Sequence, residues 1–594
     1  MVSRLSGMEA VSLHTESSTV PAHAVALIII EASDQLSHQR LRELVGSALP
    51  QLARFRCRLV GKPLGLGQPV WAEIDDYDPT SQIHSATVPA PGGRREFAEL
   101  IAWLTTRALD RDKPLWEAWS IDGLEGGRWA LAVKMSPAVS DGVAGAASIW
   151  PRLVTTGPRD DPTSNLPPEP SLGTPPSIGE LVTDTATEFL ENYVTGVWLI
   201  AGAVPGVLRA AGRRLRGMGE PDQLPQAAAS MSGPVPRTVF NAPLTERRAV
   251  AFASIPLADM KTVNNAFGGS ITNVFLAACT LSLRTWLQRH DAVPDSPLLM
   301  QVPLSLPDAD STTVDNQFTF GRIRIPVQLD DPVQVLTDLH AATERLNTAH
   351  MSDAERTGLT VDFATFAALI PPAVVHAGMR LYTGLGLSQR FTPICHGIAS
   401  TISGPPVPVY CAGAKVVGMH TAAPLVEGCG LNITLISHGD LMGFSVCVCH
   451  NVPAVNDIAT DIVDSVGILV AAAQESPRGE RPSVLTQMTS QPRSVRTPGT
   501  NRLRPIHSGG PRSRWVNHVE PGAAQRTGGQ VSQRRRRRVP QRRRTAPAGQ
   551  LLVHLLACSI SWSFERKLQI KPGRRVAVVN APPGSVLTTM FGGV

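Results

Sequence analysis

Cysteine is scarce: the 594 residues contain eight, at positions 57, 279, 395, 411, 429, 447, 449 and 558. Only Cys447 and Cys449 are close, and C-x-C is tighter than the paired spacing that holds zinc, so no metal centre is expected. Strand alternation puts both thiols on one face, where they read as packed core groups. A long apolar run is also missing. The most apolar helical stretch, Tyr193 to Leu208, contains Pro205 and stops at Arg209, short of the roughly 20 residues that span a bilayer. Arg209, Arg213, Arg214 and Arg216 follow it. That leaves two readings, a segment lying on an anionic membrane surface or a crossover helix packed between domains. No charged-then-apolar leader opens the chain, so a cytoplasmic protein with reduced thiols is expected, at most peripheral on the inner membrane face.

Apolar content of 43% with 18% charged residues fits a globular chain rather than a disordered one. The net charge of +6 is a sum of two unlike parts. Residues 1–474 carry 33 Lys+Arg against 45 Asp+Glu, a net of −12, and residues 475–594 carry 22 against 4, a net of +18. An acidic body therefore bears a basic tail, and the overall charge is no argument for nucleic-acid binding. Pro, Arg, Gly and Ser dominate from Ser476, with runs at Arg534–Arg538 and Arg542–Arg544 and no interleaved aromatics. No nucleic-acid partner is expected, and the tail reads as disordered for want of apolar surface. Gln550–Ile560 and Leu568–Asn580 return to apolar composition, and the tail reads as a read-through or frame-shifted end, ahead of a basic contact to anionic lipid.

In the body, His23 to Ile30 reads as a buried strand, and Gln39 to Leu49 as a helix with Leu41, Leu44, Val45 and Ala48 on one face. Arg94 to Asp110 is a second amphipathic helix. Pro114-Leu115-Trp116-Glu117 then opens a strand, with Trp116 as its buried anchor. Residues 151–175 and Gln223 to Arg237 are linkers. Further on, strands are expected at Arg248 to Ile255, Pro297 to Leu306 and Arg322 to Leu329, and helices at Thr272 to Asp291 and Asp331 to Thr348.

The central stretch is Arg128 to Gly145, RWALAVKMSPAVSDGVAG. Trp129 to Met135 predicts a core strand, and Ser136-Pro137 stops it because proline cannot donate to a ladder. Asp141-Gly142 predicts a turn, and Val143 to Trp150 the start of a helix. The stretch resembles the HHxxxDG motif of the wax ester synthase/diacylglycerol acyltransferase family, with Asp141, Gly142, Val143 and Gly145 fitting. Both histidine positions depart from it, holding Ser136 and Pro137. Other blocks resemble the family in order: the Arg4-Leu5-Ser6 start, Leu52 to Arg58, the PLWE segment, Pro297 to Leu306 and Asp315-Asn316-Gln317. The run continues through Ser403 to Tyr410, Pro424 to Gly428 and Gly430 to Thr434. Asn273 stands where the family has Asp, and Thr401 where Asn is usual. The resemblance spans residues 3 to about 473.

The resemblance implies an α/β fold of two similar halves meeting at a channel, as in coenzyme A-dependent, chloramphenicol acetyltransferase-like acyltransferases. The expected parts are residues 1–150 and 238–474 as the halves, 151–237 as linker and crossover helix, and 475–594 as tail. It implies long-chain acyl transfer from acyl-CoA, as co-substrate and without a cofactor, to diacylglycerol or a long-chain alcohol, with contact to a membrane or lipid-droplet surface. The second motif histidine is the family's general base, removing the hydroxyl proton and returning it to the thiolate. At that position Pro137 has no titratable group, and Ser136 alone is not a base. Asp141 reads as a loop-fixing group. Asn432 is either a polar wall group or a hydrogen-bonded structural residue. Folding can bring His396, His420 or His438 into the gap. The reading that competes with an enzyme is an impaired homologue that binds acyl lipid or a partner.

Overall fold

The computed structural model describes residues 3–5, 7–65, 67–139, 149–160, 167–173, 175–192, 235–305, 318–357, 372–390 and 392–475. Asp141 and Gly142, the Tyr193–Leu208 segment with its arginines, Asp315–Gln317 and the basic tail lie outside the described residues.

Strand β1 (Ala24–Ile30) is the centre of the first sheet. Its run of Ala, Val, Leu and Ile favours a strand buried on both faces, and pleat alternation sends its side chains into two layers. Ala26, Ile28 and Ile30 pack with Leu41, Val45 and Trp116. Val25 and Leu27 pack with Phe97, Ile101 and Leu104. Of the first partners, Leu41 and Val45 come from the His38–Ala48 helix, where the Ser37 hydroxyl caps the N-terminus by accepting the Arg40 N–H. The second partners come from the Arg94–Thr106 helix, where the Glu96 carboxylate accepts the Gly93 N–H.

Around β1 lie β4 (Ile83–Thr87), β5 (Trp116–Leu124), β6 (Arg128–Met135), β11 (Tyr410–Cys411) and β12 (Ala414–Ala422), in the order β11-β12-β1-β6-β5-β4. Only β4 and β5 run parallel; β2 (Cys57–Val60) and β3 (Val70–Glu73) form a separate ribbon. The second sheet contains β7 (Arg248–Pro256), β8 (Leu298–Ser305), β9 (Phe318–Ile325), β10 (Gly397–Ile402), β13 (Leu431–His438) and β14 (Leu441–Cys449), ordered β7-β14-β13-β10-β8-β9. Here β10 is parallel to β13 and β8, and the rest are antiparallel. The long helices Ile271–His290 and Val455–Glu475 bury their apolar faces in this half. Strand β9 begins earlier than the alternation of Arg322 to Leu329 predicts and ends at Ile325, because Pro326 cannot donate and the chain turns through Leu329 N–H to Pro326 O at 3.0 Å. The following helix, Pro332–Thr357, runs nine residues past the expected end.

The two sheets are not built from contiguous halves. Residues 410–422, late in the chain, close the first sheet, and β12 also lies against the second. The Ser445 hydroxyl donates to Thr421 O, and His438 Nε2 donates to Val416 O at 3.0 Å. Gly443 permits this approach: a methyl group there would fall inside the Met419 carbonyl oxygen. Cys447 and Cys449 share one face of β14 and are buried at this seam, packed thiols as alternation requires. Among the described residues no single helix is long and apolar enough to cross a membrane. The helices Leu257–Phe267 and Ile271–His290 pass that test only as a pair bent by 100°, and the longer of them is core.

Candidate active site

The loop expected to carry the chemistry leaves the end of β6, a strand between β1 and β5 whose last six side chains are buried. Ser136 prolongs the β5 ladder by one bond, its N–H donating to Leu115 O at 3.0 Å. Pro137 then ends pairing. The Ser136 side chain is 1% exposed, and its hydroxyl oxygen accepts the Ala138 N–H at 3.3 Å, while the Val139 N–H donates to Ser136 O at 3.1 Å. The Arg54 guanidinium, ion-paired to Glu9 and stacked 5.6 Å from the centre of the Trp71 ring, donates to Ala138 O at 3.0 Å. Arg54 belongs to the basic segment that the sequence singled out; its role here is to clamp the loop. Residues 136–139 thus form a packed turn with no titratable side chain.

The PLWE segment lies alongside. Trp116 is fully buried and its Nε1 donates to Phe55 O at 2.7 Å, the anchor expected of it. Glu117 pairs with the buried Lys134 at 3.3 Å. Burial lowers the Lys134 pKa, and Glu117 opposes that shift.

The three histidines that folding was free to deliver are committed elsewhere. His396 accepts the Leu299 N–H at Nδ1 (2.9 Å) and donates from Nε2 to Pro236 O (2.8 Å), which fixes its tautomer. His420, opposite Leu27 across β12 and β1, donates from Nδ1 to Phe444 O at 3.2 Å and meets the Phe252 ring edge-on. Burial pushes its pKa down to about 4. His438 is the residue already bonded to Val416 O.

A fourth histidine is differently placed. His23 directly precedes β1, and the β1–β6 ladder ends on the pair Ala24 and Met135. One step further on each strand are His23 and Ser136. His23 is 2% exposed, and neither ring nitrogen has a hydrogen-bond partner among the described residues. The carbonyls of Leu104 and Thr105, at the end of the Arg94–Thr106 helix, face the ring without meeting hydrogen-bond geometry. Lys134 and Arg248 supply positive charge nearby, and Arg248 is itself held by the carbonyls of Thr19 and Thr245. Burial, reinforced by those cations, pushes the His23 pKa down to about 3. In the sequence His23 is only the head of an apolar run; the one local signal is a polar residue entering an otherwise apolar strand.

Asn432, on β13, is buried with both ends of its amide used. Nδ2 donates to Pro424 O at 3.0 Å, and Oδ1 accepts from the Thr434 hydroxyl, also at 3.0 Å. Thr434 in turn pairs with Ser400 at 3.0 Å. Of the two readings of Asn432, this geometry favours the structural one. Asn273, where the family has Asp, accepts from the Ser270 hydroxyl and donates to the Thr343 hydroxyl at 3.1 Å. It thereby ties the Ile271–His290 helix to Pro332–Thr357, using a donor that an ionised carboxylate lacks.

Comparison with known proteins gives a consistent result. The family models for the wax ester synthase/diacylglycerol acyltransferase catalytic domain and for the WS/DGAT C-terminal domain match residues 5–275 and 314–469. A provisionally named diacylglycerol O-acyltransferase of Mycobacterium tuberculosis is 29% identical over 485 residues, covering 80% of this chain and 92% of its own length. Another from that organism is 30% identical over 471 residues, covering 78% and 98%. The solved wax ester synthase/diacylglycerol acyltransferase from Marinobacter aquaeolei VT8 matches with a TM-score of 0.54 at 22% identity, covering 80% of this chain and 100% of that one, and shares the fold. With both family domains matched in order on this two-sheet scaffold, the chain belongs to the wax ester synthase/diacylglycerol acyltransferase family.

Proposed function

We propose that this chain is an acyl-CoA-dependent O-acyltransferase that esterifies diacylglycerol or a long-chain alcohol. The observation that carries the reading is the intact scaffold around the altered loop. The clamp of Arg54 on the loop, the Trp116 anchor and the Asn432–Thr434–Ser400 chain are all satisfied, and within residues 136–139 the titratable groups at 136 and 137 are gone. The competing reading, an impaired homologue that binds acyl lipid or a partner, draws on that loss. Absence of a general base typically costs two to four powers of ten, while orientation and binding persist. Asp141 and Gly142 stay in the proposal as loop-shaping residues.

The test is ester formation from labelled long-chain acyl-CoA with diacylglycerol and with hexadecanol, using the full chain. Ester accumulating in proportion to protein supports the enzyme. Ester from a Ser136→His/Pro137→His variant alone makes the native chain a disarmed homologue.

A further inference from the structure

We propose that His23 is the general base of acyl transfer in this chain, replacing the histidine whose position Pro137 occupies. The inference rests on the acyltransferase reading above and deepens it.

Three observations converge on this ring. First, it directly precedes Ala24, whose ladder partner Met135 directly precedes Ser136. It therefore lies one step past the end of the β1–β6 ladder, on the side where the loop in which the family keeps its base leaves β6. Second, it is buried with both nitrogens unpartnered among the described residues. His396 is bonded at both ring nitrogens and His420 and His438 at one each, whereas both nitrogens of His23 are open to a hydrogen bond from a bound hydroxyl. Third, it stands at the seam between the two sheets. Its face of β1 packs with Leu244 and Val250, whose chain segments belong to the second half.

The step balances without a cofactor. The acceptor hydroxyl gives its proton to a His23 nitrogen as its oxygen attacks the thioester carbonyl. The C–S bond breaks, the ester forms, and the imidazolium returns the proton to the departing thiolate, giving free coenzyme A. The surroundings keep the ring neutral, with a lone pair to accept a proton. Burial and the nearby Lys134 and Arg248 charges weaken it as a base, so the proton moves only as the acceptor oxygen bonds to the carbonyl carbon. The same charges press the imidazolium to give the proton to the thiolate. Exclusion of water protects the thioester from hydrolysis. Ser136 does not join His23 as a nucleophilic dyad, since its hydroxyl is bonded to Ala138 N–H and no hydrogen bond links it to His23.

The experiment compares the full chain with His23→Leu, His23→Gln and His23→Leu/Pro137→His, reading transfer rate, KM for acyl-CoA and melting temperature. We expect both single variants to lose at least about a hundredfold in kcat, with KM for acyl-CoA within about threefold. His23→Leu should melt no lower than the native chain, because it removes a polar group without a partner. The double variant should regain transfer, since a base returns to the family's position. Native transfer that survives both single substitutions overturns the proposal and leaves the acyltransferase reading standing. A native chain that makes no ester, beside a double variant that does, overturns both.

Discussion

Glu117→Gln isolates Lys134, a buried cation beside the candidate site. Lys134 is 1% exposed and its carboxylate partner lies 3.3 Å away. At an effective dielectric of 20, that separation corresponds to about 5 kcal/mol of attraction. Breaking a buried pair by removing one partner typically costs about 3–5 kcal/mol. The amide keeps the shape and an acceptor oxygen but leaves the ammonium uncompensated. The cost has a ceiling, because Lys134 can shed its proton. From an unfolded pKa near 10.4, deprotonation costs about 4.6 kcal/mol at pH 7 and only about 2 at pH 9. The sign follows from linkage. Lysine in the folded variant binds fewer protons than in the unfolded chain, so the stability of the variant rises with pH. Denaturant unfolding of both proteins, followed by tryptophan fluorescence, should show a penalty of about 3–4 kcal/mol at pH 7 that shrinks to about 2 or less at pH 9. A penalty under about 1 kcal/mol at pH 7, or one equal at both pH values, refutes the reasoning.

Gly443→Ala drives a methyl group into the Met419 carbonyl where β12 crosses β14. It should lower stability by about 1–3 kcal/mol or more, whereas Gly467→Ala, in the interior of the last helix with open space around it, should raise it by about 0.5–1 kcal/mol. Melting curves of the two variants decide this. Acid should destabilise the protein well above the carboxylate range. His23 and His420 are held at about 3 and about 4 in the fold but titrate near 6.5 when unfolded. Below pH 6.5 the unfolded chain therefore binds protons that the native state refuses. Stability is full above that pH and falls by roughly 1.4 kcal/mol per unit for each group until its folded pKa is reached. His23→Leu should remove one share, so its advantage over the native chain grows as the pH drops from 7 to 5, and a constant difference counts against the burial of His23.

Much of this was legible in the sequence because it is local. The β1 run, the β6 strand stopped by Ser136-Pro137, the alternation of Cys447 and Cys449 and the anchoring Trp116 follow from periodicity and residue chemistry alone. The family motifs carried the two-sheet fold. What pattern could not supply is pairing across long separations. Nothing local in Ala414–Ala422 says that its neighbour is β1 rather than a strand of its own half, and the approach depends on a glycine some twenty residues later. The same limit hid His23. It reads as the first residue of an apolar run until register sets it one step beyond Ala24, level with Ser136. Asn432 was recognisable as a polar group in a core strand, but its Pro424 and Thr434 partners, which close both ends of the amide, appear only in three dimensions. Strand β9 was misplaced by four residues because alternation continues through Val327 and Leu329 although Pro326 has ended the ladder.

The most direct measurement is a single turnover of long-chain acyl-CoA on the full chain, following free thiol with and without diacylglycerol or hexadecanol. Direct attack assisted by a base predicts thiol release that requires the acceptor and matches ester formation one for one. Thiol released in a burst without acceptor would mean an acylated protein rather than direct transfer. No release under either condition, with acyl-CoA bound, would contradict the enzymatic account altogether.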